Sequence, residues 1–216
     1  MKVCYVTDRK ALPGPAEGQV RSLLEKIEAA ARAGVDWIQI REKDMCGRKL
    51  SALVSEAVRR TAGQCRILVN DRLDVAVACG AGGVHLGEMS MPAEEAKRFV
   101  RERNVGDGFL VGVSAHSTEA AKAAEKAGAD YVIFGPTYET PSKAGYGQPQ
   151  GVERLAEVSR AVKIPVIAIG GIALQTAGRC MAAGAAGIAA IRLFQDAKEI
   201  ADSVRRLHGG SSTHSS

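Results

Sequence analysis

The chain has 216 residues, a net charge of +5 and an aromatic content of only 4%. This length suits one substantial hydrophobic core, and no run approaches the roughly 18 apolar residues of a membrane-spanning helix. Because the sequence has no basic run and few aromatic side chains, the positive charge indicates small anionic ligands rather than nucleic acid. We therefore expect neither nucleic-acid nor membrane partners.

The cysteines and the first residues suggest a compartment. The five cysteines are scattered and form no Cys-x-x-Cys pair. This pattern favours reduced thiols over a disulfide framework or a zinc site. The start Met1-Lys2-Val3 lacks the charged and apolar regions of a signal peptide. We expect a cytoplasmic protein.

Apolar segments alternate with helix-like segments along the whole chain. Eight strands are predicted near residues 2–7, 37–41, 66–70, 83–86, 110–114, 131–135, 166–169 and 187–191. Helices are predicted at Arg21–Ala33, Arg48–Thr61, Leu73–Cys79, Pro92–Arg103, Ser117–Ala127, Gly151–Val162, Leu174–Ala183 and Asp196–Leu207. Ser117 suits a helix cap and Pro92 a first-turn position. A repeated Ala-Gly-x-Asp pattern, seen at Ala33–Asp36 and Ala127–Asp130, ends a helix at Gly and precedes an apolar strand.

Strict alternation of strand and helix implies a parallel sheet. Eight such units predict an α/β fold, a single (β/α)8 TIM barrel over residues 1–208, with an open doubly wound sheet as the alternative. No Gly-x-Gly-x-x-Gly follows the first strand, which argues against that alternative. The small polar residues 209–216 are predicted to be a disordered tail.

The second predicted strand ends in a cationic ladder, by which we mean Gln39, Arg41 and Lys43. Side chains alternate along a strand, so these three share one face. Because unpaired buried charge is costly, the ladder needs an anionic partner. That partner is either a bound ligand or the neighbouring carboxylates of Glu42 and Asp44.

Polar residues or glycines also follow the other strands, at Thr7-Asp8-Arg9, Asn70-Asp71-Arg72, His85-Leu86-Gly87-Glu88, Ser114-Ala115-His116, Gly170-Gly171 and Ile191-Arg192. TIM barrels carry their active sites at the C-terminal strand ends, often with phosphate bound after strands seven and eight. Asn70 and Asp71 either cap the next helix or hold Mg²⁺ against phosphate oxygens. We interpret His85 as a packing histidine rather than a base, whereas His116 suits either role.

The sixth loop, Gly135–Pro149, is too long for an ordinary strand–helix connection. Its Thr140, Ser142 and Lys143 supply hydroxyls and a charge suited to an oxyanion. The loop is interpreted as a lid over a phosphorylated substrate, the alternative being a plain surface loop.

Several motifs in order along the chain resemble the thiamine phosphate synthase family: Gln39-x-Arg41-x-Lys43, Val69-Asn70-Asp71-Arg72, Gly83-Val84-His85-Leu86-Gly87, Val113-Ser114-Ala115-His116, Thr140-Pro141-Ser142-Lys143 and Ile169-Gly170-Gly171-Ile172. The resemblance implies a TIM barrel that joins an aminopyrimidine methyl diphosphate to a thiazole phosphate. The implied products are thiamine phosphate and diphosphate, and the implied partners are these small phosphorylated substrates. A homo-oligomer is compatible with this reading.

The resemblance also implies roles by position. The pyrimidine diphosphate would be held by Gln39, Arg41, Lys43, Asn70 and Lys143. Asp71 would bind Mg²⁺, and Ser114 would contact the pyrimidine. The thiazole phosphate and its cradle would involve Thr140, Ser142, Gly171, Ile191 and Arg192. The implied catalytic residues are Arg41, Lys43, Lys143 and Ser114.

Some positions depart from the family pattern. A second metal-binding Asp usually stands where this chain has Ser90, and a hydroxyl is a poorer Mg²⁺ ligand than a carboxylate. Glu88 either turns inward to compensate or is solvated. The family more often has Thr where Ser142 stands, and commonly a small residue where Arg192 stands. Of these departures, Ser90 predicts a weakened metal site, whereas Ser142 keeps the hydroxyl.

Two other functions remain as alternatives. The related thiazole tautomerase shares the barrel, but it tends to lose the Asn-Asp pair and to carry His directly after Phe-Gly on the sixth strand. This chain keeps Asn70-Asp71 and has Pro136 at that place, which favours the synthase. A non-catalytic regulator that binds phosphorylated metabolites is the third interpretation.

Overall fold

The computed structural model describes residues 1–140 and 148–209. Its strands are β1 Lys2–Val6, β2 Trp37–Ile40, β3 Arg66–Asn70, β4 Gly83–Leu86, β5 Leu110–Ala115, β6 Tyr131–Phe134, β7 Val166–Ile169 and β8 Gly187–Ala190. Each strand pairs in parallel with the next, and β8 pairs with β1 to close the barrel. The predicted TIM barrel is confirmed, and the open doubly wound sheet is wrong.

The helices lie between the strands, at α1 Ala16–Arg32, α2 Gly47–Thr61, α3 Leu73–Ala78, α4 Ala93–Glu102, α5 Thr118–Lys126, α6 Gly151–Ala161, α7 Leu174–Ala182, α8 Arg192–Gln195 and α9 Ile200–Gly209. A short 3-10 helix, Arg9–Ala11, follows β1. Among the described residues, no helix is both long and apolar enough to cross a membrane.

Most predicted helices are confirmed, with three corrections at their boundaries. The first helix begins at Ala16 rather than Arg21, because Pro15 already supplies an extended N-cap. Pro92 is also an N-cap rather than a first-turn residue, since its ψ of 141° is extended. The last predicted helix, Asp196–Leu207, begins only at Ile200 as α9, and the short helix α8 before it was not predicted.

Two apolar layers surround the barrel wall. The inner layer fills the barrel with side chains that include Trp37, Leu68, Tyr131 and Ile167, and the outer layer packs the other strand faces against the helices. Gly112 makes the inner layer possible, because a Cβ there would lie 2.0 Å from the Tyr131 ring. These side chains fill the N-terminal half of the barrel interior, so any site must lie at the C-terminal ends of the strands.

Aspartates of the Ala-Gly-x-Asp pattern join strands at the N-terminal end of the barrel. Asp36 accepts hydrogen bonds from Lys2 Nζ and the Val3 N–H, both at 2.8 Å. Asp130 accepts from Lys97 Nζ at 2.9 Å and from the N–H of Val111 at 2.7 Å. Each carboxylate thus ties its own strand to the start of the preceding one.

Candidate active site

A cavity of about 740 Å³ opens at the C-terminal ends of the strands. It is lined by all of the predicted site residues that the structure describes, namely Gln39, Arg41, Lys43, Asn70, Asp71, Ser90, Ser114, Thr140, Gly171, Ile191 and Arg192. Ser142 and Lys143 lie outside the described residues, so their roles stay predictions. One cavity therefore brings together residues from the loops after β2 to β8.

The ladder faces this cavity. Gln39 is buried at 3% exposure, and its Nε2 donates to Asn70 Oδ1 at 3.0 Å. Within residues 1–140 and 148–209, no carboxylate forms an ion pair with Arg41 or Lys43. Glu42 and Asp44 bind Arg9 instead. Pairing of the ladder with its neighbouring carboxylates is therefore wrong, and two cations are left to face the cavity.

Asp71 occupies a left-handed conformation, with φ of 64°, directly after β3. Its Oδ2 accepts from Asn70 Nδ2 at 3.1 Å, and its Oδ1 accepts from the Ser90 hydroxyl. The Gly87 N–H donates to Ser90 Oγ at 2.6 Å, which fixes that hydroxyl. The N-cap of α3 is Arg72, and no side-chain hydrogen bond caps this helix, so the capping role considered for Asn70 and Asp71 is wrong.

His85 lies inside the barrel, beneath the cavity, at 3% exposure. Its Nδ1 is 3.2 Å from the Tyr131 hydroxyl, and its Nε2 is 3.0 Å from Ser114 Oγ. Burial, aided by the positive charge of Arg41, lowers the pKa of His85 to about 3, although Asp71 opposes the shift. His85 is a neutral, hydrogen-bonded packing residue, as predicted, and it orients Ser114.

The loops after β6 and β7 are held together by backbone contacts. Thr137 N–H donates to Ile169 O at 2.7 Å, and Tyr138 N–H donates to Gly170 O at 2.9 Å. Gly171 has a φ of 62°, and a Cβ there would lie 2.4 Å from the Glu139 carbonyl oxygen. A side chain at Gly171 would push the sixth loop away, so this glycine allows the two loops to approach closely.

The loop after β4 contributes two residues to the rim. Glu88 is half-exposed and lies toward His116, with 3.8 Å between Glu88 Oε1 and His116 Nε2. His116 Nδ1 also bonds to the Gly135 carbonyl. Met89 lines the cavity at 99% exposure and was missed by the sequence reasoning, although its place between Glu88 and Ser90 could have indicated it.

Arg192 was expected at the end of the eighth strand, but it begins helix α8 with Ile191 as the N-cap. The short helix is held by Gln195, whose Nε2 donates to the Asp8 carbonyl and whose Oε1 accepts from the Asp8 N–H. Arg192 still lines the cavity. The loop after β8 is thus joined to the loop after β1.

Comparisons with known proteins agree with this geometry. A family model described as thiamine monophosphate synthase matches residues 3–194. A protein of Geobacter sulfurreducens is 45% identical over 188 residues, which are 86% of this chain and 83% of that protein. The thiamine-phosphate synthase of Roseiflexus sp. is 40% identical over 208 residues, 95% of this chain and 83% of its own.

A solved structure extends the agreement to three dimensions. The thiamine phosphate pyrophosphorylase from Pyrococcus furiosus superposes with a TM-score of 0.81 at 32% identity, covering 96% of this chain and 94% of that one. Sequence and structure point the same way over nearly the whole barrel. This chain belongs to the thiamine monophosphate synthase family.

Proposed function

We propose that this chain is a thiamine-phosphate synthase, which joins an aminopyrimidine methyl diphosphate to a thiazole phosphate in thiamine biosynthesis. The family membership supports the reaction class. The observation that carries the proposal is the ladder, because Arg41 and Lys43 face the cavity and have no carboxylate partner among the described residues. A diphosphate group would supply the missing negative charge.

The bond changes place specific demands on the site. The bond between the pyrimidine methylene carbon and the diphosphate oxygen breaks, and diphosphate leaves with the electron pair. The thiazole nitrogen then forms the new bond to that carbon. Arg41 and Lys43, with Lys143 predicted to reach the same group, would stabilise the negative charge that develops on the leaving diphosphate. No protein nucleophile is required.

Ser114 would contact the pyrimidine. Its hydroxyl exchanges one hydrogen bond with His85 Nε2 at 3.0 Å, and His85 in turn is held by Tyr131. Because burial keeps His85 neutral, the hydroxyl retains its remaining hydrogen-bonding capacity for the ring above it. Ser114 would therefore orient the pyrimidine while the carbon–oxygen bond breaks.

The donors around Asp71 fit Mg²⁺ only in part. Mg²⁺ usually combines one or two carboxylates with substrate phosphates and water, and Asp71 lies at the cavity beside the Ser90 hydroxyl. Among the described residues, no three His, Cys, Asp or Glu side chains form a metal-binding group. We infer that Asp71 and the substrate diphosphate would bind the ion jointly. When bound, Mg²⁺ would neutralise charge on the leaving diphosphate.

The thiazole phosphate would occupy the opposite side of the cavity. Thr140, Gly171, Ile191 and Arg192 line that side, and Ser142 is predicted to join them. Backbone N–H groups near Gly171 and the start of α8, together with the Arg192 charge, suit a phosphate. The sixth loop is predicted to act as a lid that keeps water from the reacting carbon, and its residues 141–147 lie outside the described residues.

The deciding experiment gives purified protein both substrates, with and without Mg²⁺. We expect thiamine phosphate and diphosphate in equal amounts, only when Mg²⁺ is present. A second assay supplies a thiazole carboxylate phosphate alone. Isomerisation there without synthase product would favour the tautomerase, and tight phosphate binding without any turnover would favour the regulator.

Variants at Asp71 and Ser90 test the metal assignment. We expect Asp71→Asn to raise the Mg²⁺ concentration that gives half-maximal rate by about 10- to 100-fold, because it removes a charged ligand. Ser90→Asp should lower it, because it adds one. An unchanged Mg²⁺ dependence in Asp71→Asn would show that the metal is held elsewhere.

A further inference from the structure

The end of β2 alternates cations and carboxylates, in the order Arg41, Glu42, Lys43 and Asp44. Such a segment could neutralise itself. In the folded chain both carboxylates turn to one residue outside the segment: Arg9 Nη1 lies 2.8 Å from Glu42 Oε2 and 2.6 Å from Asp44 Oδ1. A single guanidinium therefore binds both of the negative charges that flank the ladder cations.

Arg9 is well placed for this task. Its side chain is 15% exposed, that of Glu42 is 2% exposed, and the Arg9 N–H also donates to Glu42 Oε1 at 3.1 Å. The planar guanidinium can bind two carboxylates at once, which an ammonium does poorly. The hydrogen bond from Arg9 also holds the pKa of Asp44 well below its usual range, so this carboxylate stays charged.

One hydroxyl connects the ladder to the cluster formed by Arg9, Glu42 and Asp44. Thr7 Oγ1 donates to Glu42 Oε1 at 2.7 Å and accepts from the Arg41 N–H at 3.0 Å. Thr7 is fully buried, so these bonds are protected from water. The position of Glu42 thus bears directly on the backbone that carries the Arg41 side chain into the cavity.

We propose that Arg9 is a positioning residue that withholds Glu42 and Asp44 from Arg41 and Lys43, and so keeps both ladder cations available for an anion. The inference rests on the proposed role of the ladder in binding diphosphate. Without Arg9, the exposed Asp44 would turn toward the ladder beside it and compete with the ligand. Lys10, 3.1 Å from Asp44 and largely exposed, is a weaker second partner.

Binding of inorganic diphosphate with Mg²⁺, measured by calorimetry, tests the proposal without requiring turnover. We expect Arg9→Gln to weaken binding about tenfold, and the double variant Arg9→Gln with Asp44→Asn to recover most of the loss. A merely structural role for Arg9 would not be rescued by removing a carboxylate. Arg59→Gln, which breaks an exposed pair with Glu56, is the matched control and should leave binding unchanged.

A second variant covers the case in which Arg9→Gln does not fold, since Glu42 would lose its charged partner. Arg9→Lys keeps one charge for Glu42 but releases Asp44, so binding should weaken about threefold and recover with Asp44→Asn. Unchanged binding in Arg9→Lys, or a loss that Asp44→Asn does not restore, overturns the proposal. So does failure of the unaltered protein to bind diphosphate. Binding without synthesis of thiamine phosphate would instead overturn the proposed function alone.

Discussion

At the N-terminal end of the barrel, Asp36 and Asp130 each bind a lysine and a strand N–H, whereas at the C-terminal end Arg41 and Lys43 lack a carboxylate partner within the described residues. The same residue types therefore serve different purposes at the two ends. Paired charges hold strands together, and cations without a partner need a ligand. Substitutions at the first end should change stability, and those at the second should change activity.

The largest effect is expected at the C-terminal end. Arg41→Met should lower kcat/KM about 10²- to 10³-fold, because a charge that stabilises the departing diphosphate is lost. Its unfolding midpoint should stay close to that of the unaltered protein, since no described carboxylate depends on Arg41. Steady-state kinetics and thermal unfolding measure the two quantities. Loss of stability with normal kinetics would show that Arg41 stabilises the fold and does not act on the ligand.

The reverse outcome is expected at the N-terminal end. Asp130→Asn should lower the free energy of unfolding by about 1–3 kcal/mol, because charge-assisted hydrogen bonds to Lys97 and the Val111 N–H are weakened. Urea unfolding measures this loss. Turnover under native conditions should be nearly unchanged, and a large fall in kcat would mean that the two ends are coupled.

His85 lies between the two ends and links stability to pH. Its pKa is about 3 when folded, against an ordinary value of about 6.5. Between these values the unfolded chain binds a proton that the folded chain does not, so the contribution is complete above about pH 6.5 and falls as pH falls. The slope is at most about 1.4 kcal/mol per pH unit. Unfolding of the unaltered protein and His85→Gln at pH 5, 6 and 7 should show a shallower decline in the variant, and equal slopes would contradict the assignment.

The smallest effect is expected on the outer surface, away from both ends. Arg98 pairs with Glu95 and Glu102 on α4, and all three side chains are exposed. Arg98→Gln should change the free energy of unfolding by less than about 0.5 kcal/mol and leave kcat/KM unchanged. A larger change in either quantity would show that exposed ion pairs on the helices also contribute to stability or activity.

The barrel and the position of its site could be predicted from the sequence, because both depend on local patterns. The alternation of eight apolar strands with helices predicted the closed parallel sheet. Polar residues at strand ends, such as Asn70 and Ser114, predicted where the cavity lies, and both line it. These signals need only the alternation of side chains along a strand.

The sequence did not predict which side chains pair with each other in the folded chain. Arg9 was visible as a polar residue after the first strand, and Glu42 and Asp44 as neighbours of the ladder. Their pairing depends on where the loop after β1 lies once the barrel has closed. The short helix α8 is a similar case, because its Gln195 is fixed by the backbone of Asp8 from the other end of the chain. Such contacts belong to tertiary structure and override local propensity.

Trp37 is the only tryptophan in the chain, and it lies inside the barrel at 9% exposure with its ring centroid 4.7 Å from that of Tyr131. An indole in these surroundings emits at a shorter wavelength than one in water. The protein thus carries its own optical reporter, which reads closure of the barrel without a label.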